Sequence, residues 1–454
     1  MNMDCMKNKK VLIVGLGKSG IAAAQAMIRL EAEVYVQDAK KEENVDANLA
    51  AYLKENGAVC YFDQLPPDMG IFDMVILSPG VSPEIAFVQE AREKGAEIVG
   101  ELEIAFRIGS GKYVAITGTN GKTTTTTLVG EIFKAAERKT YVVGNIGVAV
   151  ISASIDAPED AWMVTETSSF QLETTKYFKP VVSALLNLTP DHLNRHHTME
   201  AYGQAKAMIF ANQREDEYAV VNFDDKTCWK LAADCKAKVV PFSRKEMLDF
   251  GAFVENGNLV VKNEAGELVV FCNVDELKII GDHNLENALA AAAICYFAGI
   301  EPAVIGETLR TFGGVEHRIE YCGTIEGVKY YNDSKGTNTD AAVTALRALK
   351  ENIILIAGGD AKGQDFDEFI KGFNGSVKTM ILLGRDAGFI QEAADRQGFK
   401  DYVFCKDMEE CVRKAHELAV PGDSVLLSPA CASWDMYKNF EQRGDHFKEC
   451  VGRL

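Results

Sequence analysis

Tyr113-Val-Ala-Ile-Thr-Gly-Thr-Asn-Gly-Lys-Thr-Thr124 decides how the rest of the chain is read. Tyr113 to Ile116 is a short apolar run of the kind that forms a buried strand. It breaks at Gly118, and polar, helix-capable residues begin after Gly121. Strand, glycine turn and helix start together cradle phosphate, because backbone N–H groups and the helix dipole point at the anion. Lys122 adds a point charge, and the Thr123 hydroxyl is a candidate Mg²⁺ ligand. The spacing differs from the common G-x-x-x-x-G-K-[ST] loop, since Ile116 stands where its first glycine belongs. The competing reading is a plain glycine-bearing turn of an α/β protein; ATP is the ligand we expect.

Upstream, apolar runs at Val11–Val14, Val34–Val36, Val59–Phe62, Met74–Leu77 and Glu97–Val99 alternate with helix-periodic segments such as Ile21–Leu30 and Glu84–Lys94. That alternation predicts a mostly parallel sheet. The first turn reads Gly15-x-Gly17-x-x-Gly20, and Asp38 ends the next strand. This is a dinucleotide-type fingerprint, which licenses a nucleotide diphosphate at the helix start without saying which one. Ser78-Pro-Gly80 closes a later strand on the same expected edge. The first unit ends near Gly109-Ser-Gly111.

Downstream, further apolar runs at Tyr141–Val143, Trp162–Thr165, Val181–Leu186 and Tyr218–Val221 are followed by polar residues: Asn145, Glu166 and Asp191-His192. Ligands of open α/β sheets sit outside the carboxyl ends of the strands, so these groups can converge on the phosphates. Each alone also reads as a cap or a solvated loop residue. A helix is expected over Met199–Asn212, with Lys206 as an ordinary solvated side chain. Asn258–Val270 reads as a hairpin around Asn263-Glu-Ala-Gly266. Gly281-Asp-His-Asn284 opens an alanine-rich helix carrying Asn284 and Asn287 on one face, as caps or as a clamp for adenine or ribose.

Gly313-Gly314 marks a second boundary, and a third alternating unit follows with strands at Ile353–Ala357, Met380–Leu383, Val403–Phe404 and Ser424–Leu427. Its polar turns, Asn332–Thr337, Gly358–Gly363 and Ser428–Ser433, carry Lys335 and Lys362. Those cations suit a carboxylate or a phosphate better than packing, although soluble turns would look the same.

Composition sets the outer limits. The 454 residues suffice for two to four domains, and 47% apolar with 25% charged content is that of a soluble globular protein. A net charge of −18 argues against nucleic acid or an anionic membrane as main partner. The 11 cysteines lack C-x-x-C or zinc spacing and fit thiols in a reducing cytosol. No apolar stretch approaches the ~20 residues of a membrane helix.

Gly118–Thr123, Glu166 with Ser168-Ser-Phe-Gln-Leu-Glu173, Asp191-His192, His283-Asn-x-x-Asn287, His317-Arg318, Asn332-Asp-Ser-Lys335 and Ser428–Ser433 occur in this order. Together they resemble the Mur ligases, the ATP-dependent ligases of peptidoglycan precursors, over essentially the whole chain. Val14–Gly17, Leu77–Val81, Gly144–Gly147 and Ala430–Ser433 through Phe440–Gly444 are similar to the members that add D-glutamate.

The resemblance implies a three-domain α/β fold. Residues 1–110 would be a Rossmann-like unit binding UDP, 111–312 a central ATPase with a mostly parallel sheet, and 313–454 a Rossmann-like unit binding the amino acid. It implies an ADP-forming ligase joining D-glutamate to UDP-N-acetylmuramoyl-L-alanine through an acyl phosphate, in cytoplasmic cell-wall precursor synthesis. The enzyme would be a monomer with neither nucleic-acid nor membrane partners.

By the same resemblance Gly118, Thr119, Asn120, Gly121, Lys122, Thr123, Thr124, Asn284, Asn287, Arg318 and Asp333 would contact ATP. Gly17, Lys18, Ser19, Asp38, Ser78, Gly80, Asn145, Ser168 and Gln171 would hold the UDP-substrate. Lys335, Thr337, Lys362, Ser433, Trp434 and Phe440 would shape the D-glutamate site. Two Mg²⁺ ions would be held by Thr123, Glu166, His192 and Lys206. The family carries a carbamylated lysine at the position of Lys206, which replaces the solvated-lysine reading. Lys122, Glu166, His192 and Lys206 would be the catalytic set.

Departures from the pattern are Ala39, which lacks a uridine-site hydroxyl, Thr167 in place of an apolar residue, and Trp434 in place of a smaller apolar one. Two other classes stay open. A nicotinamide dehydrogenase would use Gly15–Gly20 and Asp38 but leaves the Gly118 loop idle. A nucleotide switch would use that loop but not the lysine-bearing turns of the third unit.

Overall fold

A computed structural model describes residues 6–350 and 352–454. Among these, three sheets follow one another along the chain. The first comprises β1 (Lys10–Val14), β2 (Glu33–Asp38), β3 (Val59–Phe62), β4 (Met74–Leu77) and β5 (Glu97–Gly100), in the order β3-β2-β1-β4-β5 and parallel throughout. The strand order reverses between β1 and β4. The Gly15–Gly20 turn and Ser78-Pro-Gly80 therefore flank one crevice, where an open α/β sheet binds its ligands.

The second sheet is built from β6 (Lys112–Thr117), β7 (Thr140–Gly144), β8 (Trp162–Glu166), β9 (Val182–Leu185), β10 (Tyr218–Asn222), β11 (Lys238–Ser243), β12 (Gly251–Glu255), β13 (Asn258–Lys262) and β14 (Leu268–Asn273). Its order is β14-β13-β12-β11-β10-β9-β6-β8-β7. Strands β7 to β12 pair in parallel around β6, and the expected hairpin closes one edge as antiparallel β12-β13-β14. Strands β11 and β12 lay outside the sequence expectations.

One apolar core runs through both sheets. Val11, Ile13 and Met27 of the first share it with Tyr113, Ala115, Met163 and Leu185 of the second. Phe106, Tyr113 and Phe178 meet edge to face with ring centroids 5.6 Å apart. Beside them the fully buried Glu103 carboxylate accepts backbone N–H bonds from Lys176, Tyr177 and Phe178 and an ion pair from Arg107. A buried carboxylate is tolerated only when satisfied in this way. The first compact unit accordingly runs to Glu276 and takes in Glu286–Arg310.

The second unit consists of Leu277–Leu285 and Thr311–Leu454. Its strands are β15 (Glu320–Ile325), β16 (Val328–Asn332), β17 (Ile353–Ala357), β18 (Val377–Leu382), β19 (Tyr402–Phe404) and β20 (Ser424–Leu427), in the order β15-β16-β20-β17-β18-β19. All pairs are parallel except β15-β16, a hairpin that the sequence reading did not foresee. Helices cover both faces over two apolar clusters. Since β16, β20 and β17 are parallel neighbours, the turns after Asn332, Leu427 and Ala357 emerge side by side at one edge.

The described cysteines are free thiols. Among the described residues no helix is long and apolar enough to cross a membrane.

Candidate active site

In the first unit the phosphate-type loop follows central strand β6. Gly118 has φ +158° and Gly121 +80°, values that L side chains rarely adopt. A Cβ on Gly121 would lie 2.2 Å from Asn287 Oδ1, so the helix bearing Asn287 presses directly on the loop. The helix Lys122–Ala135 starts at the loop's end, and the Lys122 ammonium donates to the carbonyls of Gly118 and Thr119 at 3.0 and 2.7 Å. Thr125 Oγ1 donates to Asn287 Oδ1 at 3.3 Å. Thr123 and Thr124 lie on the first turn, half-buried and buried.

Asn187, unnoticed in the sequence, braces this loop. Its Oδ1 accepts from Asn120 N at 2.8 Å, its Nδ2 donates to Asn120 O, and its carbonyl accepts from Thr119 N. It is the second residue past the end of β9, so the strand-end rule that selected Asn145 and Glu166 could have found it too.

Lys206 is the clearest correction. The usual preference of lysine predicts a solvated helical side chain, whereas Lys206 is 1% exposed. The α-helix covers only Met199–Ala207, followed by a tight turn at Met208–Phe210, and its inner face carries Tyr202, Gly203 and Lys206. Lys206 Nζ donates to Gly118 O at 2.8 Å and stands 4.6 Å from the Tyr202 ring centroid. Burial, with the nearby Lys122 charge, lowers its pKa to about 7. Spacing held the clue: Lys206 falls four residues after Tyr202 and three before Ile209, on the apolar side.

Glu166 ends β8, opposite Ile116 of β6, and is 1% exposed. Its Oε1 accepts from Asn145 Nδ2 at 2.7 Å, and its Oε2 is buried with no hydrogen-bond partner. Gly144 lets the strand end before Asn145 lie against Glu166, since a Cβ there would come 2.3 Å from the Glu166 carbonyl oxygen. An orphaned buried carboxylate oxygen costs about 1–3 kcal/mol or more. It suits a dication, and the donor set of hydroxyl, carboxylate and imidazole oxygen and nitrogen atoms is compatible with Mg²⁺.

His192 adopts φ +52° and is half-exposed beside Asp191, its ring 4.8 Å from that of Phe170 and 6.5 Å from Tyr202. Next to it His196, which the sequence reading passed over, is buried, hydrogen-bonded to Ser169 Oγ at 2.9 Å and stacked on Phe170. Burial, with the adjacent Arg195 charge, holds its pKa below the ordinary value. Arg195 pairs with Glu173, covers the Phe170 ring and donates to Val81 O.

The UDP set divides. Leu16 N and Lys40 N donate to the two Asp38 carboxylate oxygens, at 2.6 and 2.8 Å, so that carboxylate also organises the glycine turn. Ser78 Oγ donates to Gly15 O at 2.7 Å. Gly17 precedes the helix Lys18–Arg29, whose first turn carries Lys18 and Ser19. Ser168 and Gln171 cap their own short helix reciprocally, and Gln171 lines a small pocket with Ser78, Gly100 and Glu101. Asn145 instead faces Glu166.

In the second unit Asp333 is buried, accepting from Ser428 Oγ at 2.7 Å and Ile319 N at 3.3 Å; burial raises its pKa to about 7. Arg318 carries an orphaned buried Nε. Asn284 Nδ2 donates to Ile280 O. Arg443, 1% exposed, knits the turns together: its guanidinium donates to Ser334 Oγ, Ser334 O and Cys431 O. Ser334 Oγ in turn donates to Phe440 O. Lys335 lies over the Phe440 ring at 5.7 Å and Lys362 over the Trp434 ring at 4.3 Å; Ser433 is buried and Thr337 half-buried.

Comparison with known proteins agrees with this layout. Residues 9–100 match the Mur ligase MurD-like N-terminal domain, 116–295 the Mur ligase middle domain, and 317–431 the Mur ligase glutamate ligase domain. The chain is 50% identical over 454 residues to the UDP-N-acetylmuramoylalanine–D-glutamate ligase of Thermoanaerobacter sp. (strain X514), covering 99% of each. It is 47% identical over 451 residues to that of Clostridioides difficile (strain 630), again covering 99% of each.

Among solved structures, the MurF ligase of Thermotoga maritima in complex with ADP matches with TM-score 0.59 at 18% identity, over 100% of this chain and 97% of that one. UDP-N-acetylmuramate-alanine ligase MurC of the same organism matches with TM-score 0.57 at 20% identity, over 98% and 100%. These last two establish the fold alone. With half its residues identical to those of full-length relatives, and all three domains matched in order, the chain belongs to the Mur ligase family.

Proposed function

We propose that the protein is the ADP-forming ligase that joins D-glutamate to UDP-N-acetylmuramoyl-L-alanine, acting as a cytoplasmic monomer in peptidoglycan precursor synthesis. The names of the full-length relatives support the substrates. The observation that carries the chemistry is that Lys122 and Lys206 both donate to Gly118 O, with the Glu166 carboxylate near enough to act on the Lys206 charge. Residues 1–110, 111–312 and 313–454 serve UDP, ATP and amino-acid binding respectively.

The reaction needs the substrate's alanyl carboxylate, a poor electrophile, turned into an acyl phosphate. A carboxylate oxygen attacks the γ-phosphorus of ATP, and ADP leaves. The D-glutamate amine then attacks the acyl carbon, expels phosphate and gives up a proton. Gly118, Thr119, Asn120 and Gly121 shape the loop around the phosphates, with the Thr119 and Asn120 amides held by Asn187, and Lys122 neutralises the phosphate charge. Asn287, beside the loop, is a nucleotide contact, and the family resemblance adds Asn284, Arg318 and Asp333 to the nucleotide set.

Thr123, Glu166, His192 and Lys206 would hold Mg²⁺, two ions in our reading. Bound there, Mg²⁺ supplies neutralisation of phosphate and carboxylate oxygens. An ammonium at Lys206 would repel such ions. Its lowered pKa raises the share of free amine near neutral pH, and that amine's lone pair attacks carbon dioxide and releases a proton to leave a carbamate, an anionic oxygen ligand.

Gly17, Lys18, Ser19, Asp38, Ser78, Gly80, Ser168 and Gln171 serve the UDP-substrate crevice, and Asn145 reaches the substrate from beside Glu166. Lys335, Thr337, Lys362, Ser433, Trp434 and Phe440 form the acceptor site. The test is phosphate release from ATP that requires both UDP-N-acetylmuramoyl-L-alanine and D-glutamate. Release with neither identifies a simple ATPase or switch, and NADH binding without ATP turnover a dehydrogenase; either result rejects the proposal.

A further inference from the structure

The turns after β17 and β20 are stitched at the backbone. Asp360 N donates to Ala432 O and Ala432 N to Asp360 O, each at 2.9 Å. Both sides of the stitch are anchored further. Ala361 N donates to Asp386 Oδ2, Lys362 N to Asp360 Oδ1, and Arg385 N to Asp435 Oδ2. The Ser433 carbonyl accepts from Met436 N and Tyr437 N.

Two side chains leave this rigid frame and meet. Trp434 is 65% exposed, far more than a packing residue of its size, and the Lys362 ammonium stands 4.3 Å from its ring centroid. Among the described residues no carboxylate pairs with Lys362. Its charge therefore rests on the indole face. Lys335 over Phe440 repeats the arrangement in the neighbouring turn.

We propose that Trp434 is a positioning residue that holds Lys362 ready for a carboxylate of the acceptor amino acid. The proposal rests on the reading of these turns as the D-glutamate site. A lysine has four rotatable bonds, and an anion that recruits it from solvent must immobilise all of them. The ring face removes that cost beforehand. An ammonium seated on a ring still directs N–H groups away from it, so a carboxylate binds from the open side without displacing the indole. Affinity for that carboxylate is then set jointly by a cation and the aromatic surface under it.

Steady-state ligation by the full chain, with D-glutamate varied at saturating ATP and UDP-substrate, tests this. Trp434→Ala should raise the KM for D-glutamate about two- to fivefold while leaving kcat nearly unchanged. Trp434→Phe, which keeps a weaker face, should fall between. Lys362→Met should raise the same KM more, and adding Trp434→Ala to it should change nothing further, because the ring acts through the ammonium. An unchanged KM in Trp434→Ala, an equal fall in kcat, or an undiminished effect of Trp434→Ala in the Lys362→Met background overturns the proposal alone. A wild type that ligates no D-glutamate overturns the activity reading, and this proposal with it.

Discussion

Lys206 Nζ donates to the carbonyl oxygen of Gly118 at 2.8 Å, so a lysine 88 residues further along closes the rear of the phosphate loop from inside the protein. As an amine it can only donate there; as a carbamate it would present oxygens. Lys206→Ala is expected to lower turnover by about a hundredfold or more, the scale of losing one preorganised charge-stabilising group. ATP binding, measured by displacement of a fluorescent nucleotide, should survive because Lys122 is untouched. Acetate should restore part of the activity by occupying the vacated space. Normal turnover in the alanine variant, or wild-type crystals showing a bare amine beside bound Mg²⁺, would rule out the carbamate.

Gly121 tolerates no side chain. At φ +80° a Cβ costs about 1–2 kcal/mol, and here it would also strike Asn287 Oδ1. Gly121→Ala should raise the KM for ATP about tenfold or more while leaving UDP-substrate binding alone. Isothermal titration with each ligand separates the two; equal weakening of both would mean general misfolding.

Glu101 gives a pH signature. It is buried between the helix it begins and Ile151, whose N–H it accepts, and its second oxygen has no partner. Burial raises its pKa to about 7. A carboxyl raised above its unfolded value contributes stability that is present below the unfolded pKa and lost as pH rises through the folded one. Glu101→Gln removes the ionisation but keeps the amide acceptor. The melting-temperature difference, variant minus wild type, should therefore grow between about pH 5 and about pH 8. A flat difference would show that Glu101 ionises freely in the fold.

Glu103 is expected to behave oppositely, as a group the fold cannot lose. Glu103→Ala strips the acceptor from three backbone N–H groups and leaves Arg107 with one carboxylate fewer. Breaking such a buried arrangement costs about 3–5 kcal/mol, or a fall in Tm of about 10 °C. Calorimetry checks this, and a loss under about 1 kcal/mol would contradict it.

The apolar runs were legible because parallel strands buried on both faces read as continuous hydrophobic stretches, as at Val11–Val14, Ile353–Ala357 and Ser424–Leu427. The strand-end polar residues followed from the same logic. Strands β15 and β16 escaped because the hairpin alternates: Glu320, Lys329 and Asn332 interrupt the run, and Tyr321 faces solvent. Lys206 was misplaced by composition, since lysines are solvated on average and the average says nothing about a helix whose inner face meets a polar loop. The double duty of Asp38 and Asn145, engaged with backbone and with Glu166 respectively, is a matter of distances that no residue type reveals. Arg443 escaped for a similar reason, two of its three acceptors being main-chain carbonyls, which every sequence has.

Arg443 has a consequence for descent as well as for stability. One guanidinium satisfies carbonyls in the turn after β16 and the turn after β20, and it comes from the helix Phe440–Val451. Neither turn can be reshaped without orphaning a buried cation, so mutations in their backbones would be tolerated only in concert. Side chains at the rim, such as Lys362 and Trp434, bear no such obligation to the frame, although as ammonium and ring they would change as a pair. A new acceptor preference would therefore be reached through rim substitutions above a frozen frame, which makes the rim the surface a selective inhibitor would have to read.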